Sequence, residues 1–557
     1  MKPIFFLLIS FIIVQSAFAN DVALLDHKNI PHGQSPQGTY YSSCWGWVSP
    51  EGVEYAILGT YTGTSIYSTE NNVLEEIQFV PGPTAGYAYR EFKTYKNYLY
   101  IVSEGGSGVQ IVDLSQLPDT AILIKNFNFT QGNKDILRSH TVTLADGYLY
   151  LNGSAHWSPG GMVIFSLLID PTTPQYVGQY QPEYIHDSFV RNDTIYAAAI
   201  YSNGGLYIAN AANKANPSLI KKITYSGSGT HHAWATIDGK YALTTDEIGT
   251  VNNMKVWDIN NLGSGPPYTP AAQFRANSVD LTHNVHGRGH YAFLSHYAAG
   301  ARVVDMHTPT SPVEVGFYDT DPNSTSGYEG CWAVYPYFFS GRWVASDMQS
   351  GLYLMSFSGM EPRIRPTLLQ PSSGDSLGTS AIRFDWTRST DPDHDPHWYE
   401  LHIQGPGVSM NWNVNDTTTT LSDFTGFQYG EQYIWSVNVV DEFTSVRCQD
   451  YSTFIYNGAT VGVKEPTPIP EEVSLSQNYP NPFNPSTSIK FSLKKESDIS
   501  LRVFNLMGDE LSSLIEGKQP QGAYEMHWDA SQYPSGIYYY RLRVGNSVET
   551  KKMVLMR

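Results

Sequence analysis

Residues Ser139–Asn152, SHTVTLADGYLYLN, carry the reading that decides the fold. Thr141, Val142 and Thr143 supply the β-branched run of a strand, Asp146-Gly147 a tight turn, and Tyr148, Leu149 and Tyr150 a second strand. Gly160-Gly161-Met162-Val163-Ile164-Phe165 and Pro174-Gln175-Tyr176-Val177-Gly178 follow as a third and a fourth. The same order returns from His186, through Thr194-Ile195-Tyr196, Gly204-Gly205-Leu206-Tyr207-Ile208 and Pro217 to Ile220. Further copies start at His232 and His283, and less regular ones at Cys44, Arg90 and Cys331, so successive starts lie 46 to 51 residues apart. Four short strands in each unit of ~45 residues predict a β-propeller with one unit per blade. A single blade cannot bury both of its faces, whereas seven in a ring can and leave only short edges. The copy starting at Cys331 ends after Gly351-Leu352-Tyr353-Leu354-Met355 without a fourth strand. Asp21-Val22-Ala23-Leu24-Leu25-Asp26 matches Pro312-Val313-Glu314-Val315-Gly316-Phe317, so the first strand of the chain is expected to complete the last blade.

Outside the repeats, composition narrows the class. The chain has 557 residues and a net charge of −18, which excludes the basic face that nucleic-acid binding needs. Met1-Lys2, the apolar run Ile4 to Val14 and the small-x-small site Ala17-Phe18-Ala19 predict a secretory signal peptide over 1–19. No later stretch reaches the ~18 apolar residues of a spanning helix, so no transmembrane segment is expected in the mature chain. With 39 Tyr against 24 Phe, the aromatic usage suits half-buried strands and exposed contact surfaces.

The C-terminal residues read as an address. Asn481-Pro482-Phe483-Asn484-Pro485 cannot be a helix or a central strand. Ile489 and Phe491, Ile499, Leu501 and Val503, and Tyr538, Tyr540, Leu542 and Val544 then alternate as a small β-sandwich does. This YPNPFNP opening, the VFNLMG strand, the SGIYYYRL hairpin and the KKMVLMR end resemble the C-terminal sorting domain of type IX secretion. The resemblance implies recognition by that export machinery and a secreted or outer-membrane location in a Gram-negative bacterium. Gln110-Ile111-Val112-Asp113 and Arg302-Val303-Val304-Asp305 resemble the LVIVD repeat of secreted bacterial propellers. Residues 364–457, with Ile382-Arg383-Phe384-Asp385-Trp386 and Tyr433-Ile434-Trp435-Ser436-Val437, resemble a fibronectin type III-like module. The expected fold is therefore all-β: a signal peptide at 1–19, a seven-bladed propeller at 20–360, a fibronectin type III-like sandwich at 364–457, a Pro- and Glu-rich linker at 458–473 and an Ig-like sorting domain at 474–557.

The repeat register puts Cys44, Arg90, His140, His186, His232, His283 and Cys331 at one equivalent position, near one mouth of the central channel. Four of only 16 histidines fall there, with His231, His286 and Asp187 close by. Arg90, His140, His186, His232 and His283 are the candidate ligand residues of that mouth. Imidazole suits zinc, copper, nickel or iron, and the same ring could instead hold an anionic or polar ligand in the channel. The alternative is that each His only hydrogen-bonds the neighbouring blade, since opposite strands lie too far apart for one ion with bonds of roughly 2.0–2.1 Å. Cys44 and Cys331, in copies that ring closure makes neighbours, are a candidate disulfide in an oxidising compartment, against the alternative of two buried thiols; Cys448 reads as a lone thiol. Asp391, Asp393 and Asp395 are a candidate calcium site against the alternative of a solvated acidic turn, and His402 at the twelfth position excludes an EF-hand. There is no GxSxG and no HExxH, so no catalytic residue is assigned. The expected function is a surface protein binding an extracellular protein or glycan, with a metal-assisted hydrolase as the alternative.

Overall fold

The computed structural model describes residues 21–83, 86–201, 204–248, 253–262, 265–277, 281–324, 327–378, 381–391, 395–457, 474–478, 481, 483–495, 497–506, 510–519, 522–545 and 547–555. The signal peptide and the linker read from the sequence lie outside them, as does Asp393. Among the described residues all regular structure is strand, apart from two single-turn 3-10 segments, and no helix is long and apolar enough to cross a membrane. The chain divides into two units, residues 1–457 and 458–557.

In the first unit, seven four-stranded antiparallel sheets are found among the described residues. A typical one holds Thr141–Ala145, Tyr148–Asn152, Met162–Ser166 and Gln175–Tyr180 in sequence order. The first strands of the sheets are Tyr41–Val48, Arg90–Tyr95, Thr141–Ala145, Asp187–Arg191, Thr230–Ala235, Val285–Arg288 and Cys331–Tyr335. Each packs against the next, and the last packs against the first. That closed circuit of inner strands is a β-propeller. The second and third strands carry unbroken apolar runs because neighbouring sheets cover both of their faces: Leu149, Tyr150, Leu151, Val163, Ile164 and Phe165 are all fully buried. The fourth strands form the outer edge and expose Ile122, Leu123, Leu219 and Ile220.

Closure uses the opening strand. Val22–Lys28 pairs antiparallel with Gly351–Phe357, from Val22↔Phe357 to Lys28↔Leu352. A glycine marks the same junction in other sheets. A Cβ on Gly108 would lie 2.1 Å from Phe127 O, and one on Gly205 would lie 2.2 Å from Ile223 O, each carbonyl belonging to a fourth strand or its end. Gly351 meets Lys28 O at 2.2 Å, so the first strand of the chain occupies the fourth place in the last sheet.

The remainder of this unit is a two-sheet sandwich. One sheet holds Leu368–Gln370, Ile382–Trp386 and Thr418–Leu421; the other is built around Gln432–Val440, Trp398–Gly405, Val408–Val414 and Ser452–Tyr456. Phe384, Leu401, Trp435 and Phe454 fill the space between them. In the second unit, a sheet of Ser474–Leu475, Ser486–Leu493 and Gly522–Asp529 shares a core with one of Glu510–Gln519, Ser497–Phe504, Gly536–Val544 and Ser547–Leu555. Its proline-rich opening is fastened to the last strand: Phe483 N–H donates to Val554 O (2.9 Å), and Asn481 Oδ1 accepts from Val554 N–H (2.9 Å). Tyr540 accepts from Asn478 N–H (2.8 Å) and donates to Ser476 O (2.7 Å).

Candidate functional site

The first strands run side by side around the channel, so position along each strand sets depth. At one mouth the side chains form an unbroken arc of rings. Centroids are 3.9 Å apart for His140 and His186, 4.3 Å for His186 and His231, 4.0 Å for His231 and His283, 4.3 Å for His283 and Trp332, and 5.1 Å for Trp332 and Tyr89. Exposed tyrosines rim this arc. Tyr89 belongs to it directly, Tyr201 packs on Tyr184 beside His186, and Tyr328 packs on Tyr297 beside His283.

Only His140, His186 and His283 of the expected ring stand in this arc. Where the spacing pointed to Arg90, His232 and Cys331, the arc holds Tyr89, His231 and Trp332. Strand side chains alternate in direction. Arg90 therefore turns away, its Nε donating to Thr60 O (3.2 Å), and burial pushes its guanidinium down to about 10. Irregular register falls between Thr230 and His232 and between Cys331 and Ala333. Such bulges insert one residue and re-aim side chains. His231 thus joins the arc, while His232 lies with His286 (5.1 Å) and has Nε2 3.7 Å from Asp187 Oδ2.

The backbone of the next sheet orients the arc. His186 Nδ1 lies 3.3 Å from His231 O, His231 Nδ1 3.1 Å from His283 O, and His283 Nδ1 2.5 Å from Trp332 O. A carbonyl only accepts, so each Nδ1 carries the proton and each Nε2 presents a lone pair. His232 is the reverse: its Nδ1 accepts from Val285 N–H (3.4 Å). Burial drives the imidazoles of His186, His232, His283 and His286 well below the usual range, and that of His231 to about 4, so they are neutral at pH 7. His140 differs. Burial pushes it down, but its bond to Glu104 (Nδ1–Oε1, 2.7 Å) and the charges of Glu104, Glu91 and Asp187 outweigh that and hold it above the usual value. Glu247 closes the arrangement. It accepts from Tyr297 OH (2.5 Å) and lies 3.7 Å from His231 Nε2. His186, His231 and Glu247 offer ligand atoms within 4.8 Å of one another. His290, Asp305 and more exposed His307 do the same elsewhere. Glu104 and Glu247 were invisible to the repeat argument, because they come from loops after second strands rather than from the shared position.

The other end of the channel is covered by the sandwich. Phe443 stacks on Tyr337 at 3.7 Å, and Glu442 pairs with Arg191 at 2.6 Å. Deeper rings such as Trp45, Trp234 and Phe189 lie between, with Lys93 Nζ 3.8 Å over Trp45.

The disulfide expectation is corrected here. Cys44 and Cys331 are free thiols, as is Cys448. Each sulfur of the proposed pair packs on a backbone carbonyl, Val344 O and Ala333 O respectively (both 3.9 Å), and burial pushes the Cys44 thiol up to about 12. In the acidic turn, Asp391 and Asp395 of the candidate calcium set pair with an arginine, and Asp393 lies outside the described residues. Arg363 Nε lies 2.5 Å from Asp391, its Nη2 3.3 Å from Asp395, and its Nη1 against Asp441. Asp395 also accepts from Gly289 N–H (2.8 Å). The guanidinium supplies the positive charge, and its fork matches the carboxylates.

Residues 477–556 match the family described as secretion system C-terminal sorting domain. The tail is a type IX sorting domain. A protein that carries this domain engages the secretion machinery and is secreted or displayed at the cell surface. Among solved structures, the β-propeller domain of Cps50 (Swd1) from Myceliophteria thermophila is similar, with a TM-score of 0.42 and 11% identity over 60% of this chain and 100% of that one. No curated protein matches the chain.

Proposed function

We propose that this is a surface protein of a Gram-negative bacterium whose seven-bladed, LVIVD-type propeller binds an extracellular glycan or protein at the histidine-lined mouth. The fibronectin type III-like sandwich at 364–457 acts as spacer and cap, and the domain at 474–557 directs export. One observation carries the reading: exposed Tyr89, Tyr201 and Tyr328 surround a floor of close-packed imidazoles and Trp332. Such rings present apolar faces to a ligand while their polar tips stay hydrated. Sorting to the surface places that face in contact with extracellular material. A second reading, the metal-assisted hydrolase, takes its support from the closeness of His186, His231 and Glu247. The test is a screen of the exported protein against glycans and envelope proteins, repeated with Trp332→Ala. Saturable binding that falls at least about ten-fold in the variant, roughly 1.4 kcal/mol, supports the mouth as the binding face. No retained ligand, or equal binding by the variant, overturns it.

A further inference from the structure

We propose that His186, His231 and Glu247, with His283 as a further donor, form a binding site for a zinc-like first-row transition-metal dication. This deepens the reading of the mouth as a ligand site. Because the ion alone is the probe, its failure leaves the glycan and protein screen standing.

Three observations converge. His186, His231 and Glu247 already offer one ligand atom each within 4.8 Å of one another. Two donors in a tetrahedral arrangement on an ion with bonds of about 2.0–2.1 Å lie about 3.4 Å apart, and His231 Nε2 is already 3.7 Å from Glu247; the wider pairs of the set close by about 1.4 Å at most. Next, the tautomers are set for ligation. The Nδ1–H groups of His186, His231 and His283 are held by backbone carbonyls of the following sheet, the orienting contact that metal-bound histidines make through their second nitrogen. His232, on the adjacent level, has the opposite tautomer and is excluded from the set. Finally, His283 Nε2 is buried with no hydrogen-bond partner, although its residue is only 1% exposed. A buried polar atom without a partner costs about 1–3 kcal/mol, and a coordinate bond at the mouth would satisfy it. Tyr297 OH donates to Glu247 as an outer partner of the carboxylate. The donor set of imidazoles and one carboxylate favours zinc, ferrous or cobaltous ions over the oxygen-preferring calcium and magnesium.

The exported full-length protein, stripped with a chelator and titrated with cobalt(II), tests this. One equivalent is expected to bind with the intense visible ligand-field bands of a four- or five-coordinate ion, and zinc is expected to displace it. Glu247→Gln should weaken binding at least ten-fold, and His231→Ala should abolish the bands. His307→Ala should leave them unchanged. Near-UV circular dichroism reports folding, and if His231→Ala does not fold, Glu247→Gln decides alone. Absence of saturable bands in the parent protein overturns the proposal. So does full-strength binding by Glu247→Gln, or loss of the bands in His307→Ala.

Discussion

Replacing Arg363 by methionine should strongly destabilise the first unit. The guanidinium is 4% exposed, and its partners Asp391 and Asp441 are 2% and 7% exposed. Methionine keeps most of the volume and removes the charge that Asp391, Asp395 and Asp441 share, while Arg288, 3.8 Å from Asp395, stays beside them. Breaking a buried pair from one side costs about 3–5 kcal/mol. Domains of ordinary size are stable by only about 5–15 kcal/mol, so the loss is a large share of the whole. The deficit should also depend on pH. Burial already raises Asp395, and Arg363 is the strongest charge opposing that rise. Without it the folded-state value climbs further above the unfolded one. The folded form then holds a proton that the unfolded chain has released, so stability falls as pH rises through that window. Urea unfolding followed by tryptophan fluorescence should therefore show a larger loss at pH 7.5 than at pH 5. Adding Asp441→Asn to the variant should restore part of it. Calcium should leave the midpoint of the parent protein unchanged. A loss below about 1 kcal/mol, the value of a surface pair, would refute the reasoning. So would an equal loss at both pH values, or a midpoint raised by calcium.

Acid should weaken the propeller below pH 6.5. The depressed imidazoles of His186, His231 and His283 are protonated in the unfolded chain but not in the folded one between their ordinary value and, for His231, about 4; their stability is present at pH 7 and is lost as pH falls through that window. Asp187, raised to about 7 by burial, works in the opposite direction, as do the raised carboxyls of Glu91 and Asp146 and the raised imidazole of His140, but His232, His286 and His296 are depressed as well and add to the acid-labile side. Urea midpoints at pH 7 and pH 5 check this, and a flat profile contradicts a neutral arc. The three cysteines should resist alkylation in native protein and all react after denaturation, with or without reductant, as mass spectrometry would show. Tyr540→Phe leaves Asn478 N–H and Ser476 O without their shared hydroxyl, which should cost the sorting domain about 1–3 kcal/mol and lower export measured by surface labelling.

The strands of the sorting tail were legible because alternation is local: Ile489, Phe491, Leu501, Tyr540 and Leu542 are all buried as their period-2 spacing requires. The partnership of the opening strand with Gly351–Phe357 was legible too, because a repeat reveals which strand a copy lacks. The mouth was read one residue out of register at three positions. His231 and His232 are equally good candidates by spacing, and only the bulge at Thr230/His232 decides which one meets His186 and His283. Glu104 and Glu247 lie in loops of their own units, and nothing in the repeat ties them to the ring.

Sequence periodicity alone determined the all-β class and the strand order within each unit, and short motifs of the tail carried the resemblance that implies the export address, since each depends on residues near one another in the chain. Tertiary structure decided which rings touch, that Cys44 and Cys331 stay apart from bonding, and that an arginine takes the charge of the acidic turn. Those outcomes depend on where side chains from distant strands point. A one-residue bulge or a single guanidinium arriving from the segment between two domains changes them while leaving the repeat pattern untouched.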